Sequence, residues 1–272
     1  MKNENINKGF KFKKNLGQNF LSDTNLLNSL VKLTPLTVND NVLEIGLGRG
    51  SLTAVLVKNA KKVVGYELDI QLKSFLEEKF EDVQNLSLFF DDGLKTNIKT
   101  IENHFNGERF SVIANIPYYI TSPLIFKFLE ETNKVDFIAV MIQKEVAERI
   151  VAQKNTSNYG GLSVICQHHA NCKIKKIVSK KMFFPVPKVD SAFILLEKNK
   201  EFDFEFAEFV RASFAMRRKT LVNNLISHYN FQRVDVVNAL EKLGLLETVR
   251  AENLSKENFF ALLQHFKTIS SN

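Results

Sequence analysis

The chain has 272 residues, 44% of them hydrophobic and 25% charged, a composition that supports a packed core and argues against a disordered chain. No apolar run approaches the roughly 20 residues needed to cross a bilayer, and the polar, basic start predicts no secretory leader. Two cysteines are too few for a disulfide framework, so a reduced, cytoplasmic protein is expected, and a formal charge of +7 is compatible with a polyanionic partner without requiring one.

Residues 1–14, with Lys8, Lys11, Lys13 and Lys14, are predicted to form a flexible basic arm. Leu26, Leu27, Leu30 and Leu33 follow helical spacing, and Thr34-Pro35 stops that helix. An alternating rhythm then begins. Strands are predicted over 41–45, 62–67, 86–90, 110–114 and 137–142, each followed by a helical segment such as SLTAVLVKNA or IQLKSFLEEKF. Strands alternating with helices predict a parallel sheet covered on both faces. KIKKIVSK and SAFILLEK read as an antiparallel pair on the sheet edge. After Lys198 the pattern changes to helices alone, predicted over 205–228, 231–243 and 256–267, with Gly244 as a stop signal. The expected organisation is therefore an α/β domain over 15–198 and a small helical domain over 199–272.

Three sites carry chemistry. The first is Glu44-Ile45-Gly46-Leu47-Gly48-Arg49-Gly50, between the first strand of this series and its helix. Glycines there let the backbone turn sharply and approach a ligand closely. The spacing is G-x-G-x-G, not the G-x-G-x-x-G of dinucleotide-binding loops, which suits a nucleoside cofactor without a phosphate such as S-adenosylmethionine. Glu67, at the tip of the next strand, can accept hydrogen bonds from both ribose hydroxyls, while Asp69 can serve as a helix cap. Asp91 or Asp92, after the third strand, can accept from an adenine; spacing alone does not choose between them.

The second site is Asn115-Ile116-Pro117-Tyr118-Tyr119 at the end of the fourth strand. The N6 of adenine is a poor nucleophile because its lone pair is delocalised into the ring. An Asn115 side-chain oxygen and a Pro117 carbonyl that each accept one N–H would direct the lone pair toward a methyl donor, catalysis by positioning and hydrogen bonding. Tyr118 would stack on the base, as enzymes acting on extruded bases arrange. The third site, Phe183-Phe184-Pro185-Val186-Pro187-Lys188-Val189-Asp190-Ser191, offers an aromatic for the opposite face. Two Cys and two His in CQHHANC have zinc-ligand chemistry, but their spacing is not that of a zinc site, and no metal is expected. Basic clusters at 8–14, at 173–181 and at Arg217-Arg218-Lys219 point to RNA.

Together with GQNFL at 17–21 and RRKTL at 217–221, these motifs occur in an order that resembles the KsgA/RsmA family of small-subunit ribosomal RNA adenine dimethyltransferases. The resemblance covers nearly the whole chain. It implies a class I methyltransferase fold with a seven-stranded, mostly parallel sheet and a helical C-terminal domain. It implies S-adenosylmethionine as cofactor. As substrate it implies two adjacent adenosines, each dimethylated at N6, in a hairpin loop near the 3′ end of 16S rRNA in the small subunit or its precursor. The family's cofactor contacts fall on Asn19, Leu21, Gly46, Glu67, Asp92 and Asn115. Its target-base contacts fall on Asn115, Pro117, Tyr118 and an aromatic that aligns with Phe183, with Phe184 adjacent. Lys13, Lys14, Arg217, Arg218 and Lys219 are the expected RNA-binding residues, and a monomer is expected. Leu47 and Tyr119 depart from the residues common in the family. Rival readings are a 23S rRNA methyltransferase of the resistance type, an RNA-binding assembly factor with little turnover and, last, a nicotinamide oxidoreductase.

Overall fold

The computed structural model describes residues 19–229 and 231–270. Its elements in chain order are β1 (Phe20–Leu21), α1 (Thr24–Val31), β2 (Asn41–Ile45), α2 (Thr53–Leu56), β3 (Lys62–Tyr66), α3 (Lys73–Lys79), β4 (Leu86–Phe89), α4 (Ile98–His104), β5 (Phe110–Asn115) and α5 (Thr121–Glu130). There follow β6 (Val135–Gln143), α6 (Lys144–Ile150), α7 (Gly161–His169), β7 (Ala170–Val178), β8 (Phe183–Phe184) and β9 (Ser191–Lys198), then α8 (Phe204–Ser213), α9 (Leu221–His228), α10 (Arg233–Lys242) and α11 (Lys256–Ser270).

Seven strands form one sheet in the order β4-β3-β2-β5-β6-β9-β7. The β2, β3, β4, β5 and β6 pairings are parallel, and β9 runs antiparallel to both β6 and β7. Short strands β1 and β8 make a separate antiparallel pair. The expected class I architecture is therefore present, with the KIKKIVSK and SAFILLEK strands paired at one edge as read from sequence.

Sheet positions alternate between two buried faces. Leu43, Val112, Ile138 and Leu196 face one side with Phe105, Phe110 and Phe128. Val42, Ile113, Ala139 and Leu195 face the other, against Leu27 and Leu30 of α1 and Leu56 of α2. Burial on both faces explains why β2, β5 and β6 read as near-continuous apolar runs.

The helical region has its own core, built from Phe206, Phe209, Leu225, Leu240, Phe259 and Phe266. Val164 and Ile165 of α7, and Tyr159 before it, belong to that same core. Two sequence expectations change. The helix over 51–60 is α-helical only at 53–56, and the helix over 205–228 is two, broken at 214–220. The break has a local cause. Thr220 caps α9 by accepting the Asn223 N–H, and the Asn224 side chain bonds both the N–H and the C=O of Met216. Gly244 ends α10 at a φ of +69°, the left-handed stop its position predicted.

Candidate active site

The sheet order reverses direction at β2, with β3 on one side and β5 on the other. In open α/β sheets the crevice at the carboxyl ends of such strands is the ligand site. Here one cleft opens at that point, lined by the ends of β2, β3 and β5, the loop after β4 and the residues around β1. Asn19, Leu21, Gly46, Glu67, Asp92 and Asn115 all line it, as do Pro117 and Tyr119.

Each is placed by its element. Gly46 follows β2 with a φ of +78°, and a Cβ built there would meet no atom within 4 Å, so its Cα faces open cleft. Glu67 follows β3 and is 5% exposed; one carboxylate oxygen accepts the Gly48 N–H at 2.7 Å and the other the Asp69 N–H at 2.7 Å. A carboxylate offers about four acceptor positions, so capacity remains for a ligand hydroxyl. Burial raises the Glu67 pKa, and the backbone bonds from Asp69 and Gly48 oppose that rise. Asp69 caps the turn that follows by accepting the Gln71 N–H. After β4, Asp92 accepts the Leu94 N–H at 3.0 Å, while Asp91 accepts the N–H of Asp92.

At the tip of β5, the Asn115 amide nitrogen donates to the Asn19 carbonyl at 3.3 Å. That bond turns the amide so that its oxygen is left for an incoming N–H. The Pro117 carbonyl accepts the Ile120 N–H at 3.2 Å and keeps a second lone pair. Tyr118, half-buried, shares a 2.9 Å hydrogen bond between its hydroxyl and Ser191 at the start of β9.

The two phenylalanines of the third motif separate. Phe183 is 3% exposed and packs in the core with Leu21 and Val178. Phe184, 54% exposed, is the aromatic that reaches solvent, and its strand partner Phe20 lines the cleft. Arg217, Arg218 and Lys219 are exposed on the turn between α8 and α9. Lys13 and Lys14 lie outside the described residues. In CQHHANC the His169 ring is committed to the fold, bonding the Ile165 carbonyl through Nδ1 and accepting the Asp203 N–H through Nε2.

Two features carried sequence signals that were not assigned. Ser191 stood in the third motif without a role. Glu44 opens the glycine loop, lines the cleft at 1% exposure, and its Oε2 finds no hydrogen-bond partner among the described residues. Burial pushes its carboxyl up to about 8, with the Glu67 charge adding to the rise.

The donor set fits S-adenosylmethionine. Among the described lining residues are the carboxyl groups Glu67, Asp91 and Asp92, besides the buried Glu44, against the single cation Arg49. That balance repels a pyrophosphate and suits a positively charged nucleoside with free ribose hydroxyls.

The profile of the family "Ribosomal RNA adenine dimethylase" matches residues 9–268. The chain is 42% identical over 253 residues to ribosomal RNA small subunit methyltransferase A of Onion yellows phytoplasma, covering 91% of this chain and 93% of that one. It is 41% identical over 265 residues to the protein of that name from Bacillus cytotoxicus, covering 93% and 91%. Among solved structures, a dimethyladenosine transferase from Plasmodium falciparum superposes with a TM-score of 0.79 at 29% identity, covering 92% of this chain and 98% of that one. The 23S rRNA methyltransferase ErmE superposes with a TM-score of 0.71 at 27% identity, covering 92% and 100%. Strand order, cleft chemistry and these likenesses agree: the chain belongs to the ribosomal RNA adenine dimethylase family.

Proposed function

We propose that the protein transfers methyl groups from S-adenosylmethionine to N6 of two adjacent adenosines in a hairpin loop near the 3′ end of 16S rRNA, giving N6,N6-dimethyladenosine during small-subunit biogenesis. The observation that carries this reading is the Asn19–Asn115 bond in a cleft rich in carboxyl groups. It leaves one amide oxygen aimed by the fold, beside the Pro117 carbonyl.

S-adenosylmethionine, when bound, supplies a methyl group on a sulfonium, an electrophile with a neutral leaving group. The protein's own residues do the rest. Glu67 holds the ribose hydroxyls and Asp92 the adenine edge, while Gly46 allows the backbone to approach. Asn115 Oδ1 and the Pro117 carbonyl take the two N–H groups of the target amine and orient its lone pair, so no general base is needed. Tyr118, held by Ser191, stacks on one face of the base. Phe184 is the exposed aromatic for the other face. Arg217, Arg218 and Lys219 contact the RNA backbone. The enzyme acts as a monomer, on ribosomal particles of the cytoplasm. Names of relatives at about 40% identity support the small-subunit substrate.

The test offers the purified protein labelled S-adenosylmethionine with undermethylated small subunits and, separately, with large-subunit RNA, followed by digestion to nucleosides. Dimethyladenosine from the small subunit alone is expected. Label in large-subunit RNA would move the chain toward the ErmE-like reading that its 0.71 TM-score keeps in play.

A further inference from the structure

The chain's excess positive charge is concentrated. The 41 residues between Glu148 and Asp190 contain eight Lys or Arg and no Asp or Glu, whereas the whole chain has an excess of only seven. The rest of the molecule is electrically balanced. In the fold this segment supplies β7, the outermost strand of the sheet, and the stretch through β8 that leads to the active site.

Lys173, Lys176, Lys180, Lys181 and Lys188 are exposed along it. Elsewhere surface charges are commonly paired, as in Arg109–Asp136 or Lys61–Glu108. These five lysines form no ion pair among the described residues. Their ammonium groups meet neutral oxygens, Lys176 Nζ the Ser29 hydroxyl at 3.4 Å and Lys180 Nζ the Lys188 carbonyl at 3.3 Å, while the Lys180 backbone N–H donates to the Asp190 carboxylate at 2.9 Å.

The geometry of β7 adds direction. An irregularity between Ile174 and Lys176 puts Lys173 opposite Leu195 and Lys176 opposite Phe193. Strand partners share a face and alternate residues of β9 do so too, so both lysines lie on one face; an unbroken strand would have put them on opposite faces. The strand's far end is tied to the site, because Val178 pairs with Ser191, the residue that holds Tyr118. From Val178 back to Lys173 is about 17 Å at about 3.3 Å per residue, or about five steps of a stacked nucleic-acid strand.

We infer that the β7 edge, with Lys173 and Lys176 on one face and Lys180, Lys181 and Lys188 where it meets the active site, is a phosphate track that holds the RNA strand flanking the target adenosines. The inference rests on the RNA reading of the site and names a surface distinct from Arg217–Lys219. Edge lysines also guard sheets against strand-to-strand aggregation, and the test separates that role from RNA binding.

The experiment titrates the full-length protein with a synthetic RNA hairpin bearing two adjacent unmodified loop adenosines, by fluorescence anisotropy over a series of KCl concentrations. Lys173→Gln with Lys176→Gln keeps the edge polar while removing two phosphate contacts. The expected result is an affinity loss of about tenfold at low salt. The slope of log affinity against log salt should flatten by about 1.4 to 1.8, two contacts at about 0.7 to 0.9 each. The charge-conserving variant Lys173→Arg with Lys176→Arg should retain the wild-type slope. Binding of S-adenosylmethionine by calorimetry should be unchanged in all variants, which shows that they fold. A wild-type slope in the Gln pair, while Arg217→Ala with Arg218→Ala flattens it, would overturn the track and leave the RNA reading standing. Absence of salt-dependent binding by the wild type itself would overturn both.

Discussion

The sheet and the C-terminal helices bury polar groups to opposite ends. At the carboxyl tips of the sheet, Glu44, Glu67 and Ser191 are 5% exposed or less, yet two of them line a cleft and the third positions a half-buried tyrosine. In the helical region the buried polar side chains among the described residues, Ser213 and Asn224, are satisfied by nearby backbone. Most buried polar groups are bonded within the protein, and the exceptions call for a reason. Those of the helices complete the fold, and those of the strand tips keep capacity for a ligand. Chemistry thus belongs to the sheet, while the helices present a surface: Asn224 braces the turn that displays Arg217, Arg218 and Lys219.

The largest test of this division is Asn115→Ala. Methyl incorporation should fall by at least about 100-fold, the scale seen on removing one transition-state hydrogen-bonding group. Cofactor binding, followed by calorimetry, should weaken but stay measurable; wild-type turnover would remove Asn115 from the mechanism.

The paired phenylalanines sharpen the contrast within the two residues of β8. Phe183→Ala should cost about 3–5 kcal/mol of stability, the range for an emptied aromatic core position. Phe184→Ala should change stability by less than about 0.5 kcal/mol while lowering kcat/KM by about tenfold, through a lost stacking partner worth about 1–3 kcal/mol. If the two variants exchange these signatures, Phe183 leaves the core during turnover and takes the stacking role.

For the helical surface, Arg217→Ala with Arg218→Ala should leave cofactor affinity intact and flatten the salt dependence of RNA association by about 1 to 2. An unchanged slope would show that this turn faces away from RNA.

The smallest effect concerns acid. Burial holds the His168 imidazole, stacked at 3.7 Å on Phe206, down to about 4 from the usual 6.5. The unfolded chain therefore binds a proton that the folded one resists. Stability present above pH 6.5 is lost progressively as the pH falls toward about 4. Thermal melts across that window should show the decline, and His168→Phe should make it shallower.

Much of this was legible in the chain. The β2 bounds, 41–45, and the edge pairing follow from apolar runs punctuated by glycine, since burial on both faces leaves no alternation to misread. The residues that line the cleft were legible because loops at strand ends need particular residues, as Gly46 does at its positive φ. What stayed hidden depends on side-chain direction. Phe183 and Phe184 are chemically alike, and only the pairing of β8 with β1 decides which one points inward. The break between α8 and α9 was also hidden, because its cause is the Asn224 side chain reaching eight residues back. The link from Asn19 to Asn115 spans 96 residues through a backbone carbonyl, which no motif records.

Helix α7 has a consequence for how the molecule comes apart. Its Cys166 sits in the core beneath the sheet, while its neighbours Val164 and Ile165 belong to the core of the C-terminal helices. A shared wedge of this kind couples the two cores mechanically. Cutting the chain near residue 199 would strip apolar cover from α7 and from Tyr159, so the sheet half would be left with a sticky flank. Heating should accordingly melt both halves in one cooperative step, and the sheet and its C-terminal helices would be inherited and lost as a unit.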